Sequence, residues 1–239
     1  LQAIGNARDR RRGLRRVRIE ARHGVGAAAH ACAHPRDRRQ PPAAARCQAS
    51  SRPGQAPARR DRRVLTALLD FLRGTGRDAS GRSIAAIWAM SNDDLERHHD
   101  FIQWLFPLDT PSRAVPGSPV LAADEIAVLR RDREIRANLR RSLDRMLGFY
   151  GFAWDSERRV IDLSANFREQ AIVWLSPGNH NLRRLSRILR SLVLAGESEA
   201  AAALFGCLER LYRGAYRRTI GQESFAHWTA ALRPPGPTV

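Results

Sequence analysis

Large apolar side chains are concentrated after residue 63, and this distribution limits which part of the chain can fold. Residues 1–63 are mainly Arg, Ala, Pro and His, as in the stretch QPPAAARCQASSRPGQAPARR. Such a segment buries too little apolar surface to offset the conformational entropy lost on ordering. We therefore predict a disordered Arg/Ala/Pro-rich segment over 1–63, a folded domain over 64–232 and a flexible tail over 233–239.

The positive charge of the chain is concentrated in the same N-terminal segment. Residues 1–63 hold 17 of the 41 basic residues and 4 of the 24 acidic ones, whereas the remainder is nearly balanced. Every basic residue is arginine, which is typical of a high-GC genome, so arginine abundance alone does not indicate phosphate binding. Two interpretations of the segment stay open. It is a basic tail with weak contact to nucleic acid, or, because the chain begins with Leu1, it lies upstream of the true start.

Apolar residues after Val64 recur at spacings of three and four, which is the period of an amphipathic helix. No run of alternating apolar and polar residues predicts a sheet, and only 159–161 has an extended character. The sequence therefore predicts an all-α fold, an irregular helical bundle of about six to eight helices. The predicted helices cover residues 64–72, 82–90, 91–106, 122–150 with Gly151 as C-cap, 167–175, 180–195, 198–213 and 222–232.

Other classes of protein lack support in the sequence. Cys32, Cys47 and Cys207 form no CxxC pair, so neither a disulfide framework nor a zinc ribbon is expected. No apolar run approaches the roughly 18 residues that a membrane-spanning helix needs. There is no nucleophile elbow, phosphate-binding loop or dinucleotide-binding turn. We predict a soluble cytoplasmic protein that is not an enzyme and has no cofactor.

The stretch LERHHDFIQWLFPL at 95–108 places polar groups among large apolar ones. On one continuous helix, His98 falls on the apolar face, and Glu96, His99 and Gln103 form a polar ridge along its edge. The ridge has two interpretations. It presents donors and acceptors to a ligand, or it is a polar network that fixes how the helix packs.

The adjacent histidines do not predict a metal site. Side chains one residue apart on a helix point about 100° apart, so His98 and His99, which precede Asp100, cannot easily share one ion. Neither has the i, i+4 partner of an HExxH helix. A distant residue such as His180 would join them only through folding. No metal ligand is therefore expected.

The stretch GNHNLRRLSRILRSL at 178–192 segregates leucines and isoleucine from arginines on a helix. The arginines of the polar face are Arg183, Arg184, Arg187 and Arg190. This segregation favours a solvated surface helix, and the alternative is a stripe that binds an anion. His180 and Asn181 begin the helix, where an Asn commonly caps free amides and an anion can also bind.

Three stretches together resemble the conserved region of the opioid growth factor receptor family, in the same order and at comparable separations. They are LERHHDFIQWLFPL, MLGFYGF at 146–152 and NHNLRRLSRILRSL at 179–192. The resemblance covers about residues 83–205. Family members typically read LE, two residues, HD, an aromatic residue and IQWLFP. The chain departs from the later motif at Leu182 and Arg183, where a histidine and a leucine are expected.

The resemblance implies a receptor domain that is not an enzyme. Animal members bind the enkephalin peptide called opioid growth factor, and they associate with membranes and the nucleus without a transmembrane span. We therefore expect the domain to bind a peptide or small polar ligand in a recess shared by the first and third motifs. The alternative is a nucleic-acid-associated protein acting through 1–63. The expected ligand-binding residues are Glu96, His99, Asp100, Gln103, Trp104, His180, Asn181, Arg184 and Arg187.

Overall fold

The computed structural model describes residues 62–234, with side chains described from Ala67 onward. The predicted disordered segment and flexible tail therefore lie outside the described residues, apart from two residues of each. The described part contains ten helices and one antiparallel pair of strands, which confirms the predicted irregular helical bundle. The elements are α1 (Arg62–Arg73), α2 (Ile84–Trp88), α3 (Asn92–Arg97), α4 (Ile102–Leu105), α5 (Ala123–Arg131), α6 (Arg133–Tyr150), β1 (Phe152–Asp155), β2 (Val160–Leu163), α7 (Phe167–Trp174), α8 (His180–Leu194), α9 (Ser198–Arg213) and α10 (Arg217–Ala231).

Helix α8 packs against α5, α7, α9 and α10. Leu185, Leu189 and Leu192 on this helix are fully buried. Burying one leucine side chain stabilises a fold by about 1.5–3 kcal/mol, so this apolar face contributes strongly to stability. The indole of Trp228 on α10 donates a hydrogen bond to the backbone oxygen of Leu182 at 2.8 Å, which fixes α10 on α8.

The C-terminal end of α6 is fixed by a glycine, as the sequence predicts. Gly151 has a φ of 76°, and a Cβ atom there would lie only 2.7 Å from the Cα atom of Phe167. A side chain at this position would therefore push α7 away from α6. In the observed arrangement the indole of Trp174 donates to the backbone oxygen of Tyr150 at 3.1 Å.

A β-hairpin formed by β1 and β2 connects α6 to α7. The sequence predicted only its second strand, as the extended piece at 159–161. Asp155 shapes the turn because one carboxylate oxygen accepts hydrogen bonds from the amides of Glu157 and Arg158. An aspartate that bonds its own backbone two or three residues on is a local turn signal, and the sequence interpretation missed it.

The predicted helix over 91–106 is wrong, because the structure has two helices, α3 and α4, separated by residues 98–101. The Asp100 carboxylate stabilises this break. It accepts a hydrogen bond from Ser80 Oγ at 2.7 Å and lies 2.8 Å from the Arg82 guanidinium. Both partners belong to the loop before α2, so helical periodicity could not reveal them.

The break changes which side chains face the core. His98, predicted on the apolar face, is exposed, and Phe101 is fully buried. Gln103, predicted on the edge of that face, is buried instead. Trp104 packs edge-on against Phe71 of α1 with ring centroids 5.3 Å apart, so it joins two helices.

The periodic stretch over 122–150 divides into α5 and α6 at Asp132. One carboxylate oxygen of Asp132 accepts hydrogen bonds from the amides of Glu134 and Ile135, which caps α6. The other accepts from Arg73 Nε at 2.9 Å. A single residue thus ends one helix, begins the next and connects both to α1.

The later helices follow the predictions closely. Helices α7, α8 and α9 agree with the predicted spans 167–175, 180–195 and 198–213. Helix α10 begins earlier than the predicted 222–232, and Gly221 interrupts it with non-helical angles of φ 76° and ψ 155°. The predicted span therefore corresponds to the part of α10 after this interruption.

Candidate functional site

The two longest sequence motifs meet where the first half of α8 packs against α3 and the break after it. Asn181 Nδ2 donates to Glu96 Oε2 at 2.8 Å, although the two residues are 85 positions apart. Arg184 donates to the backbone oxygens of Leu95 and His98 at 3.0 and 2.7 Å. The expectation that folding brings the two motifs together is therefore confirmed.

Arg184 is 5% exposed, so the prediction that it lies on a solvated face is wrong. Besides the two backbone oxygens, its guanidinium contacts Asn181 Oδ1 at 3.0 Å and His99 Nδ1 at 3.2 Å. A guanidinium only donates, so Nδ1 accepts and a neutral His99 ring carries its proton on Nε2. Burial lowers the pKa of Arg184, and the nearby Glu96 carboxylate opposes that shift. Arg184 thus holds the break between α3 and α4 in place.

The N terminus of α8 is capped by Asn179, not by Asn181. Asn179 Oδ1 accepts a hydrogen bond from the backbone amide of Asn181 at 2.9 Å. The Asn181 side chain is fully buried and joins Glu96 to Arg184. The Asn181 side chain therefore bonds to other side chains of the protein and does not cap the helix.

His99 and His180 form an imidazole pair with ring centroids 4.8 Å apart in an edge-on arrangement. His180 Nε2 lies 3.6 Å from Glu96 Oε1, beyond hydrogen-bond distance. Burial lowers the pKa of His180, and the positive charge of Arg184 lowers it further, while Glu96 acts in the opposite direction. The neutral form of His180 is favoured on balance.

A groove of about 490 Å³, referred to below as the basic groove, opens beside this junction. Five of the nine predicted ligand-binding residues line it, namely His99, Gln103, His180, Arg184 and Arg187. Glu96 and Asn181 lie in the hydrogen-bonded junction instead. Asp100 is held by Ser80 and Arg82, and Trp104 packs in the core.

The basic groove has further walls that the sequence interpretation did not assign. They come from the loop between α4 and α5, from the second half of α10 and from more of α8. The additional residues include Leu108, Pro111, Ser112, Arg113, Arg183, Arg190, His227, Ala230 and Ala231. The predicted arginine face of 178–192 was a signal for those on α8. No local motif marks the loop or α10, because their contribution depends on tertiary packing.

The basic groove is strongly cationic. Its lining includes five arginines and three histidines but no carboxylate. Three of the five arginines have a carboxylate partner outside the lining, namely Arg183 with Glu223 at 2.8 Å, Arg190 with Asp109 at 3.0 Å and Arg184 with Glu96 at 3.9 Å. Arg113 is exposed and has neither an ion pair nor a hydrogen bond from its side chain to any described residue. The lining therefore carries unneutralised positive charge.

The Arg187 guanidinium and the Gln103 amide oxygen are largely withdrawn from solvent. The first lacks an anionic partner, and the second lacks a hydrogen-bond donor. The Arg187 guanidinium donates to the backbone oxygen of Phe106 at 3.2 Å and forms no ion pair with a described carboxylate. Burial lowers the pKa of Arg187 to about 10. Gln103 is 3% exposed, and its buried Oε1 has no hydrogen-bond partner within the described region.

A metal site, a cysteine nucleophile and a membrane-spanning helix find little support in the part of the chain that the structure describes. No group of three or more His, Cys, Asp and Glu side chains there is arranged to hold a metal ion. Burial raises the pKa of the Cys207 thiol to about 12, which makes it a poor nucleophile. No helix among residues 62–234 has the length and apolar character needed to cross a membrane.

The fold and the groove define an α-helical domain in which two distant motifs build a positively charged recess. The family model described as the opioid growth factor receptor conserved region matches residues 73–231, and the chain belongs to that family. This match extends beyond the 83–205 covered by the sequence resemblance. No solved structure matches the chain.

Curated relatives resemble a limited part of this chain. The opioid growth factor receptor of Homo sapiens is 37% identical over 108 residues, which is 44% of this chain and 15% of the relative. The receptor of Rattus norvegicus is 35% identical over 105 residues, 44% of this chain and 18% of the relative. The opioid growth factor receptor-like protein 1 of Xenopus tropicalis is 29% identical over 105 residues, 44% of this chain and 20% of the relative. The match thus spans a fifth or less of each of these relatives.

Proposed function

We propose that this domain binds a peptide or small polar ligand in the basic groove and does not catalyse a reaction. The observation that carries the proposal is the convergence of both motifs on one recess. His99 and Gln103 come from the first motif, and His180, Arg184 and Arg187 come from the third. The volume of about 490 Å³ falls within the rough range of 300–1,000 Å³ of small-ligand sites.

The lining chemistry supports binding rather than catalysis. Guanidinium, imidazole and amide groups supply hydrogen bonds and positive charge to a ligand. The lining hydroxyls of Ser112 and Ser186 are engaged with the backbone. Several relatives are named receptors of opioid growth factor, which supports a binding role here.

Calorimetry of the full chain with short Tyr-Gly-Gly-type peptides and short acidic peptides tests the proposal. We expect saturable binding to at least one set. Ala230→Trp should weaken that binding at least tenfold, because Ala230 lines the basic groove and the indole would fill it without changing charge. Ala86→Trp is the matched control, since Ala86 is an exposed residue on α2. Indifference to both peptide sets, or equal binding by the Ala230 variant, would contradict the proposal.

A further inference from the structure

Gln103 is the first group in the basic groove that lacks a partner. Its amide lines the groove at 3% exposure, and its Oε1 has no hydrogen bond from the described residues. A buried amide oxygen without a hydrogen bond destabilises the fold, because it has lost its contact with water without gaining another donor. In the present orientation Oε1 accepts, and rotation of the amide by 180° places the NH₂ donor at the same position, where it can bind an acceptor such as a carboxylate.

Arg187 supplies positive charge to the same groove. Its guanidinium uses one donor on the backbone oxygen of Phe106 and leaves the others without a partner among the described residues. On the same helix, Arg183 and Arg190 each pair with a carboxylate of the protein. A guanidinium withdrawn from water is costly unless an anion compensates it, and Arg187 lacks such an anion.

The rest of the lining fits an anionic group carried on an apolar body. Ile102, Leu108, Ala230 and Ala231 form apolar wall, and no carboxylate lines the groove to repel an anion. The N-terminal segment of this chain has the wrong charge to be the occupant, because 1–63 holds 17 arginines against 4 acidic residues. A separate peptide with a negative group has the charge that complements this lining.

We propose that the basic groove takes a peptide through a carboxylate group bound by Arg187 and the Gln103 amide, with apolar side chains of that peptide against Ile102 and Leu108. This inference rests on the proposed function and adds the chemistry of its ligand. A planar carboxylate matches two parallel guanidinium N–H groups, and the amide NH₂ supplies a further donor. An aspartate or glutamate side chain and a peptide C terminus both offer this group.

A random heptapeptide library, synthesised with free and with amidated C termini, tests the inference on the immobilised full chain. Bound peptides are identified by mass spectrometry. We expect Asp or Glu at a preferred position in the amidated library, or enrichment of the free over the amidated form. The first outcome assigns the carboxylate to a side chain and the second to the C terminus. Replacing that carboxylate by an amide should weaken binding at least tenfold.

Arg187→Gln and Arg168→Gln form a matched pair for this experiment. They have equal net charge, but Arg168 is exposed on α7 and does not line the basic groove. We expect only the Arg187 variant to lose the carboxylate preference. Gln103→Leu should also lose affinity at least tenfold while its urea midpoint stays at or above the wild-type value, because the substitution removes an unpaired buried amide.

The outcomes separate this inference from the proposed function. Peptides retained without preference for a carboxylate, or carboxylate peptides that bind the Arg187 and Arg168 variants equally, overturn the inference and leave peptide binding in place. The second result would indicate general attraction to the positive chain. Retention of no peptide from either library overturns both.

Discussion

Two arginines on α8 show how position decides the role of one residue type. Arg184 directs its guanidinium to the carbonyls that the break after α3 leaves outside a helix, so its burial is compensated by hydrogen bonds. Arg187, three residues further along α8, also lines the basic groove but has a single hydrogen bond, to the backbone oxygen of Phe106. The first arginine stabilises the protein, and the second is available for a ligand.

Removing Arg184 should destabilise the fold. Arg184→Leu leaves the carbonyls of Leu95 and His98 without their donor, and we expect the free energy of unfolding to fall by about 2–4 kcal/mol. Arg184→Lys keeps the charge but loses the planar fork, so an intermediate loss is expected. Equilibrium unfolding in urea measures both changes.

Arg183→Gln is the control for this prediction, because Arg183 is exposed and its pair with Glu223 is also exposed. We expect it to change the free energy of unfolding by no more than about 0.5 kcal/mol. An Arg184 variant that is as stable as the Arg183 variant would show that the hydrogen bonds of Arg184 to the Leu95 and His98 carbonyls contribute nothing to stability.

Local side-chain bonds to the backbone decide where the elements of this domain begin and end. Asp132 separates α5 from α6, Asp155 forms the hairpin turn, and Asn179 caps α8. Asp100 differs because its partners, Ser80 and Arg82, precede it by about twenty positions. Three of these four boundaries thus have a local cause, and the fourth depends on a tertiary contact.

Asp132, which caps α6, and Asp144, within α6, should have opposite effects on stability as pH changes. Burial alone would raise the pKa of Asp132, but the Arg73 guanidinium and the Ile135 amide lower it on balance. Its stabilisation is therefore present above the unfolded pKa of about 3.9 and is lost as pH falls through the lower folded value. Burial raises the pKa of Asp144, partly opposed by Arg140, so Asp144 stabilises the fold at acid pH and less as pH rises.

Urea unfolding of Asp132→Asn and Asp144→Asn between pH 2 and pH 7 measures this contrast. Asp132→Asn should be less stable than the wild type at neutral pH, by up to about 1 kcal/mol, with the deficit shrinking in acid. Asp144→Asn should match or exceed the wild type at neutral pH and lose that advantage in acid. Deficits with the same pH dependence in both variants would contradict the assigned causes.

At the scale of the whole molecule, positive charge occurs in two different settings. Residues 1–63 carry it along the chain among few apolar residues, whereas the folded domain brings five arginines together in the lining of the basic groove. The first arrangement favours loose contact with a polyanion, and the second favours a ligand that fits a recess. The alternative nucleic-acid function therefore belongs to the N-terminal segment, which lies almost wholly outside the described residues.

Comparison of the full chain with a chain that begins at Arg62 tests this alternative. If the segment contacts duplex DNA, the logarithm of the affinity should fall with the logarithm of salt with a slope near −0.9 per phosphate neutralised. We expect the truncated chain to lose most of this slope. Arg187→Gln in the full chain serves as the control and should change the slope by no more than about one unit. An unchanged slope after truncation would place the DNA contact in the folded domain.

Much of the fold could be predicted because its causes lie close together in the sequence. The helical period placed α7, α8 and α9 within a residue or two, and Gly151 was a recognisable C-cap. The predicted ligand-binding role of the nine site residues stays a prediction, but five of them line one groove. Motif content therefore identified part of the recess, although a helical wheel misplaced His98 and Arg184.

The sequence by itself determined that residues after 63 form a helical domain and that its two distinctive motifs belong to one family. Apolar periodicity and capping residues act over a few positions, and they can be recognised without a structure. Tertiary structure alone decided that the chain breaks at 98–101, that Arg184 is buried, and that α10 and the loop after α4 complete the basic groove. These outcomes depend on contacts between residues far apart in the chain, such as the hydrogen bond from Arg184 to the carbonyl of Leu95 across 89 positions, and local patterns carry no record of them.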